Sequence, residues 1–250
     1  MRTLILLIVA AFLLTIPSVG QTQETPTATV LATYYRCVQG DATRADAIYK
    51  EHVVPFLKSE QTAGRITAYG WARHWSGSDW RRLEYVAGTD MDKLLDSRAA
   101  LIKMTQSAEH SKAMDEFDRI CSSHDDYIWR SVASSLTPTA IGRDRSPFAM
   151  STYYVCGPQE READFIVKTA YAPVLNQRVK EGMIASWTWQ EHIMGDKYRR
   201  ILVLDGADEK ALMKNWASLH DDLEKANPDM ARRFSEICYS HSDYIWEMTK

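Results

Sequence analysis

Thr33-Tyr34-Tyr35-Arg36-Cys37 opens, and Ile120-Cys121-Ser122-Ser123-His124-Asp125-Asp126-Tyr127-Ile128-Trp129 closes, one stretch of this chain. Thr152-Tyr153-Tyr154-Val155-Cys156 and Ile237-Cys238-Tyr239-Ser240-His241-Ser242-Asp243-Tyr244-Ile245-Trp246 bracket a second. Between these ends the two stretches stay in register. Asp46, Pro55, Gly64, Trp71, His74, Gly77, Arg81 and Arg82 match Asp164, Pro173, Gly182, Trp189, His192, Gly195, Arg199 and Arg200, each pair 118 positions apart. A fixed period of this length marks a duplicated domain.

The duplication divides the 250 residues into units of roughly 100 residues. The expected boundaries are repeat 1 at 30–133, a Ser/Thr/Pro-rich linker at 134–149 and repeat 2 at 150–250. Upstream, Arg2, the apolar run Leu4–Ile16 and Pro17-Ser18-Val19-Gly20 read as a signal peptide over 1–20. The run is too short to span a bilayer. Residues 21–29 read as a flexible leader. The protein is therefore expected to be exported, periplasmic or secreted, and free of the membrane once the signal is removed. With 25% charged residues, a net charge of -3 and no basic run, nucleic acid is not an expected partner.

Each repeat has the same element pattern. The β-branched and aromatic run Val30–Val38 predicts a strand. A helical pattern follows, interrupted by Pro55 or Pro173, where a kink or break is expected. Gly64 and Gly182 fit the left-handed residue that ends a helix. Ile66–Trp75 alternates as a strand. One face carries Ala68, Gly70, Ala72 and His74; the other carries Tyr69, Trp71, Arg73 and Trp75. Hairpin turns at Gly77 and Gly195 lead into partner strands. Asp90 and Asp208 can cap a second helix, a shorter helix follows, and Tyr127-Ile128-Trp129 and Tyr244-Ile245-Trp246 read as a short last strand.

The order strand-helix-strand-strand-helix-strand is ferredoxin-like. With the domain length, the helix proline nine residues before a helix-ending glycine, and the paired hairpin strands, the pattern resembles the dimeric α+β barrel superfamily. The resemblance implies an α+β fold: two tandem ferredoxin-like βαββαβ units packed sheet against sheet as an intramolecular pseudo-dimer, expected to be monomeric. It implies no single activity, because members include cofactor-independent monooxygenases, haem-binding enzymes and small isomerases.

His74 and His192 share a strand position on the face of small and polar residues, where a neutral imidazole could act as base, ligand contact or haem ligand. The same position also suits hydrogen bonding to the hairpin turn. Trp71 and Trp189, with Trp75 and Trp187, could stack on a planar ligand or pack beneath helices. Arg82 and Arg200 could hold an anionic group or pair with a helix carboxylate.

Four cysteines in an exported chain suggest disulfides, paired symmetrically as Cys37–Cys121 and Cys156–Cys238. The competing possibility is a zinc site in each repeat, from Cys37, Cys121, His124 and Asp126, and from Cys156, Cys238, His241 and Asp243. Nucleophile-elbow, phosphate-loop, zincin and dinucleotide motifs are absent. The leading expectation is binding of a small apolar or aromatic molecule, with His74, His192, Trp71, Trp189, Arg82 and Arg200 as contacts. The alternatives are a monooxygenase-like or haem-binding enzyme, and a structural or interaction protein whose interior is filled with Trp and Tyr.

Overall fold

The computed structural model describes residues 27–249. The expected signal peptide and most of the leader lie outside the described residues. Repeat 1 contains β1 (Thr29–Arg36), α1 (Ala42–Ile48), α2 (Val54–Thr62), β2 (Ala68–Ser76), β3 (Arg82–Gly88), α3 (Met91–Thr105), α4 (Ser111–Ile120) and β4 (Ser123–Ser134). Repeat 2 contains β5 (Phe148–Val155), α5 (Glu160–Ile166), α6 (Ala172–Lys180), β6 (Ser186–Met194), β7 (Arg200–Gly206), α7 (Glu209–Ala226), α8 (Pro228–Ile237) and β8 (Ser240–Met248).

The eight strands form one closed antiparallel barrel, in the order β1-β3-β2-β8-β5-β7-β6-β4. This corrects the expectation of two ferredoxin-like sheets packed face to face as a pseudo-dimer. Strand β2 pairs with β8, and β4 with β6, so the repeats join edge to edge through backbone hydrogen bonds. The physical reason lies in the edges. An open four-stranded sheet leaves a row of unpaired N–H and C=O groups on each side, and closure removes all four rows. The last strands are also longer than the expected Tyr-Ile-Trp core, because β4 and β8 supply both the intra-repeat and the inter-repeat ladder.

Strand alternation sorts side chains between the barrel interior and a layer of helices outside. The interior holds aromatic rings from both repeats. Tyr34 and Tyr153 meet edge to face at 5.4 Å, and Trp80 stacks on Tyr244 at 5.0 Å. A void of only about 50 Å³ remains among them. The segment between β4 and β5 packs onto this interior: Ile141 is buried there, Tyr85 donates to the Gly142 carbonyl at 2.9 Å, and Arg145 donates to Asp205 at 2.8 Å.

Outside, each repeat carries its own apolar cluster between helices and sheet. The prolines are accommodated by a wider turn. π-helical segments span Tyr49–Val53 and Val167–Tyr171, and Pro55 and Pro173 then sit in the first turn of α2 and α6. A proline has no N–H and crowds the carbonyl four residues back, so an i→i+5 turn ahead of it relieves both problems. Gly64 and Gly182 adopt φ of +70° and +71° at the helix ends. Asp90 and Asp208 cap α3 and α7 by accepting from Lys93 and Ala211 backbone N–H groups.

Candidate functional site

The histidine face of β2 and β6 points into the barrel. His192 lies against Tyr127 and Trp129, with ring centroids 6.3 and 6.4 Å away. Its Nδ1 meets the Tyr198 carbonyl of the following hairpin at 2.7 Å, and its Nε2 lies 3.0 Å from the Arg199 guanidinium. His74 lies against Tyr244 and Trp246, and its Nδ1 is 3.1 Å from Arg81. Burial, reinforced by the charge of Arg81, pushes the His74 pKa down, so its ring is neutral near neutral pH. The His74 Nε2 is buried without a hydrogen-bond partner among the described residues.

Arg82 and Arg200 both point outward and are both engaged. Arg200 forks onto Asp164 with Nε and Nη2 each at 2.7 Å, and Arg82 makes the same fork to Asp46. Trp71 and Trp189 donate their indole N–H to the same two carboxylates, at 2.7 and 2.8 Å. The set ties the first helix of each repeat to its sheet. Of the other indoles, Trp187 is buried and Trp75 is 45% exposed.

Beyond that shared anchor the helix–sheet layers diverge. In repeat 2 a pocket of about 550 Å³ opens between α7, α8 and the outer face of the sheet. Its walls are Tyr154, Tyr171, Trp189, Leu202, Trp216, Leu219 and Phe234, and its rim carries His220, Glu224, Asp229, Arg232 and His241. In repeat 1 the equivalent positions carry larger or charged side chains. Tyr49, buried, stacks on Trp71 at 4.1 Å; the residue 118 positions on is Val167. Glu84, also buried, pairs with Arg98 at 3.2 Å and lies 3.4 Å from the Tyr35 hydroxyl; the counterparts of Glu84 and Arg98 are Leu202 and Trp216. Three exchanges thus replace a tyrosine, a buried carboxylate and its half-buried arginine by aliphatic and indole walls. Burial pushes the Glu84 pKa up, against the pull of Arg98.

At the rim, His241 Nδ1 lies 3.1 Å from Asp243, whose other carboxylate oxygen accepts from Thr152 at 2.8 Å. A carboxylate on Nδ1 fixes the tautomer and leaves Nε2 as the free acceptor. The His241 ring also packs against Tyr154, 5.8 Å away. Repeat 1 has the same relay in Thr33, Asp126 and His124, beside Tyr35 and the Glu84–Arg98 pair. Burial drives the Tyr154 and Tyr171 pKa values far up, so both present neutral phenols to the pocket.

The cysteines form Cys37–Cys121 and Cys156–Cys238 disulfides. The bridges remove the thiolates that the zinc possibility required. Among the described residues, no cluster of three or more His, Cys, Asp or Glu side chains is arranged to hold an ion. No described helix is long and apolar enough to cross a membrane.

The pocket residues Val167, Leu202, Trp216, His220 and His241 were not among the sequence candidates for ligand contact. The signal existed in the mismatches of the duplication. Tyr49/Val167, Glu84/Leu202 and Arg98/Trp216 are large changes of size or charge at otherwise equivalent positions.

No family model and no curated protein matches the chain. Solved structures do. An anthrone oxidase-like protein aligns at TM-score 0.57 and 13% identity, over 91% of this chain and 93% of its own. A monooxygenase-like protein from Lactobacillus acidophilus aligns at 0.55 and 9%, over 89% and 94%. A haem-binding protein from Thermus thermophilus aligns at 0.50 and 14%, over 90% and 94%. These neighbours belong to the dimeric α+β barrel superfamily, and at such identities the likeness is one of fold.

Proposed function

We propose that this is an exported protein that binds one flat, largely apolar ligand per chain in the outer pocket of repeat 2. The observation that carries this reading is the asymmetry of the halves: where repeat 1 places the Tyr49–Trp71 stack and the Glu84–Arg98 pair, repeat 2 has a pocket of about 550 Å³ walled by aromatics. Pockets of this size and lining suit drug-sized and cofactor-sized ligands. The two disulfides support export to an oxidising compartment.

The pocket residues fit a haem. The aromatic walls suit its faces, Arg232 suits a carboxylate at the rim, and the Asp243-oriented His241 is an imidazole donor with a free Nε2. When bound, haem would supply a ligand-binding and redox-active iron. The protein's part is to orient the imidazole through Asp243 and Thr152 and to exclude water with Trp189, Trp216 and Phe234.

The same relay favours a second reading, cofactor-independent oxygenation of a hydroxylated polycyclic aromatic. His241 Nε2 would take the phenolic proton, and Asp243 would stabilise the resulting imidazolium. Two titrations separate the readings. The mature chain is titrated with hemin, followed by the Soret band, and with a hydroxylated tricyclic ketone, followed by tryptophan fluorescence and oxygen uptake. One of them saturates at one equivalent, and Val167→Tyr, which restores the repeat 1 residue, weakens that binding about tenfold or more. Saturation by neither, or equal affinity in Val167→Tyr, overturns the proposal.

A further inference from the structure

His52 and His110 form a second cluster, on the opposite half of the molecule from the ligand pocket. His52 belongs to the π-helical turn Tyr49–Val53, and His110 is the residue that precedes α4. Their Nδ1 atoms face each other at 3.1 Å, with the rings nearly perpendicular. The side chains are 21% and 17% exposed, so the pair is sheltered but open to solvent.

The surrounding charges do not fix which nitrogen carries the proton. A carboxylate oxygen lies 4.0 Å from each Nε2: Glu51 beside His52, and Glu109 beside His110. Both carboxylates are solvent-exposed and beyond hydrogen-bond distance, so each imidazole is free to present either Nδ1–H or an Nδ1 lone pair to the other. Two Nδ1 lone pairs aimed at each other repel unless a proton or a cation stands between them. The pair is also not a requirement of the fold. The equivalent residues of repeat 2 are Ala170 in its π-helical turn and Asn227 before α8, and that half forms the same elements.

We infer that His52 and His110 form a two-coordinate site for cuprous copper through their Nδ1 atoms. The donor number selects the ion. Zinc takes four protein or water ligands in a tetrahedron, and Ca²⁺ and Mg²⁺ take six or more oxygens. Cu(I) is soft, accepts imidazole, and is satisfied by two donors in line. The two histidines sit on separate elements, so a separation of 3.1 Å can widen to admit the ion by a small shift of the π turn against the start of α4.

The test uses the mature, disulfide-intact chain, with Cu(I) supplied under ascorbate and competed by a chromogenic Cu(I) chelator. The wild type is expected to withdraw one equivalent of Cu(I) from the chelator. His52→Ala and His110→Asn, which install the repeat 2 residues, are each expected to weaken retention at least tenfold while keeping the wild-type circular dichroism spectrum and melting temperature. Zn²⁺ at the same concentration is expected not to compete. Failure of the wild type to retain copper, or equal retention by both variants, would overturn the site and leave a proton-sharing imidazole pair. This outcome is independent of the pocket in repeat 2.

Discussion

Glu84 and Leu202 occupy equivalent places on the outer faces of β3 and β7, and the choice between them decides what the space above can hold. A buried carboxylate needs a partner, and Arg98 supplies it at 3.2 Å. The Glu84 pKa is raised by burial. A raised folded-state pKa contributes stability that is full below the unfolded value of about 4.3 and is lost as pH rises through the folded value. Glu84→Gln removes this titration. Denaturant melts from pH 4 upward are therefore expected to show the wild type losing stability relative to Glu84→Gln as pH rises, then levelling off; a gap that is flat or runs the other way contradicts the assignment. Gly195 is a second residue-scale constraint. Its φ is +153°, and an added Cβ would strike the Tyr127 ring. Gly195→Ala is expected to cost about 2 kcal/mol or more in denaturant melts, and a neutral effect would contradict the close approach. At this scale the sequence was half legible. Matching residues such as His74 and His192 stand out because they repeat; they sit half-buried at the hairpin ends of β2 and β6, held by Arg81, Arg199 and the Tyr198 carbonyl. The residues that shape the pocket differ between copies, so a search for shared positions passes over them.

The strands were the most legible elements. Period-2 alternation placed Ala68, Gly70, Ala72 and His74 on one face, and that face is the barrel interior, where the Tyr85 ring of β3 lies close over Gly70 and leaves no room for a larger residue. Helix caps were legible too, because Asp90 and Asp208 act through local chemistry. The π-helical turns were not. A proline in a helical pattern signals an interruption, but whether the chain breaks, kinks or widens depends on what packs beneath it; here Tyr49 and Val167 come from that turn and face the two layers that differ. The disulfides follow from element geometry, since the end of β1 or β5 meets the end of α4 or α8. Each closes a loop of more than 80 residues, with sequence separations of 84 and 82. Replacing Cys156 and Cys238 together by Ala is expected to lower stability by about 2–5 kcal/mol, mainly by freeing the unfolded chain. An unchanged denaturation midpoint would show the bridge to be dispensable.

At the scale of the molecule, duplication was readable directly, whereas closure was not. Edge pairing of β2 with β8 and of β4 with β6 runs through backbone groups, which any side-chain pattern leaves open. Closure makes the two repeats one cooperative structure. Residues 27–134 expressed alone would expose β2 and β4 as bare edges, and are expected to associate or remain unfolded. A folded monomer by sedimentation and circular dichroism would contradict this. The asymmetry of the outer layers is the central claim, and ligand stoichiometry tests it most directly. Native mass spectrometry of the mature chain, incubated with whichever probe saturates, should show one ligand on the wild type. It should show none on Leu202→Glu/Trp216→Arg, which rebuilds the ion pair of repeat 1 in repeat 2. Two ligands per chain, or one that survives the double replacement, would contradict the account.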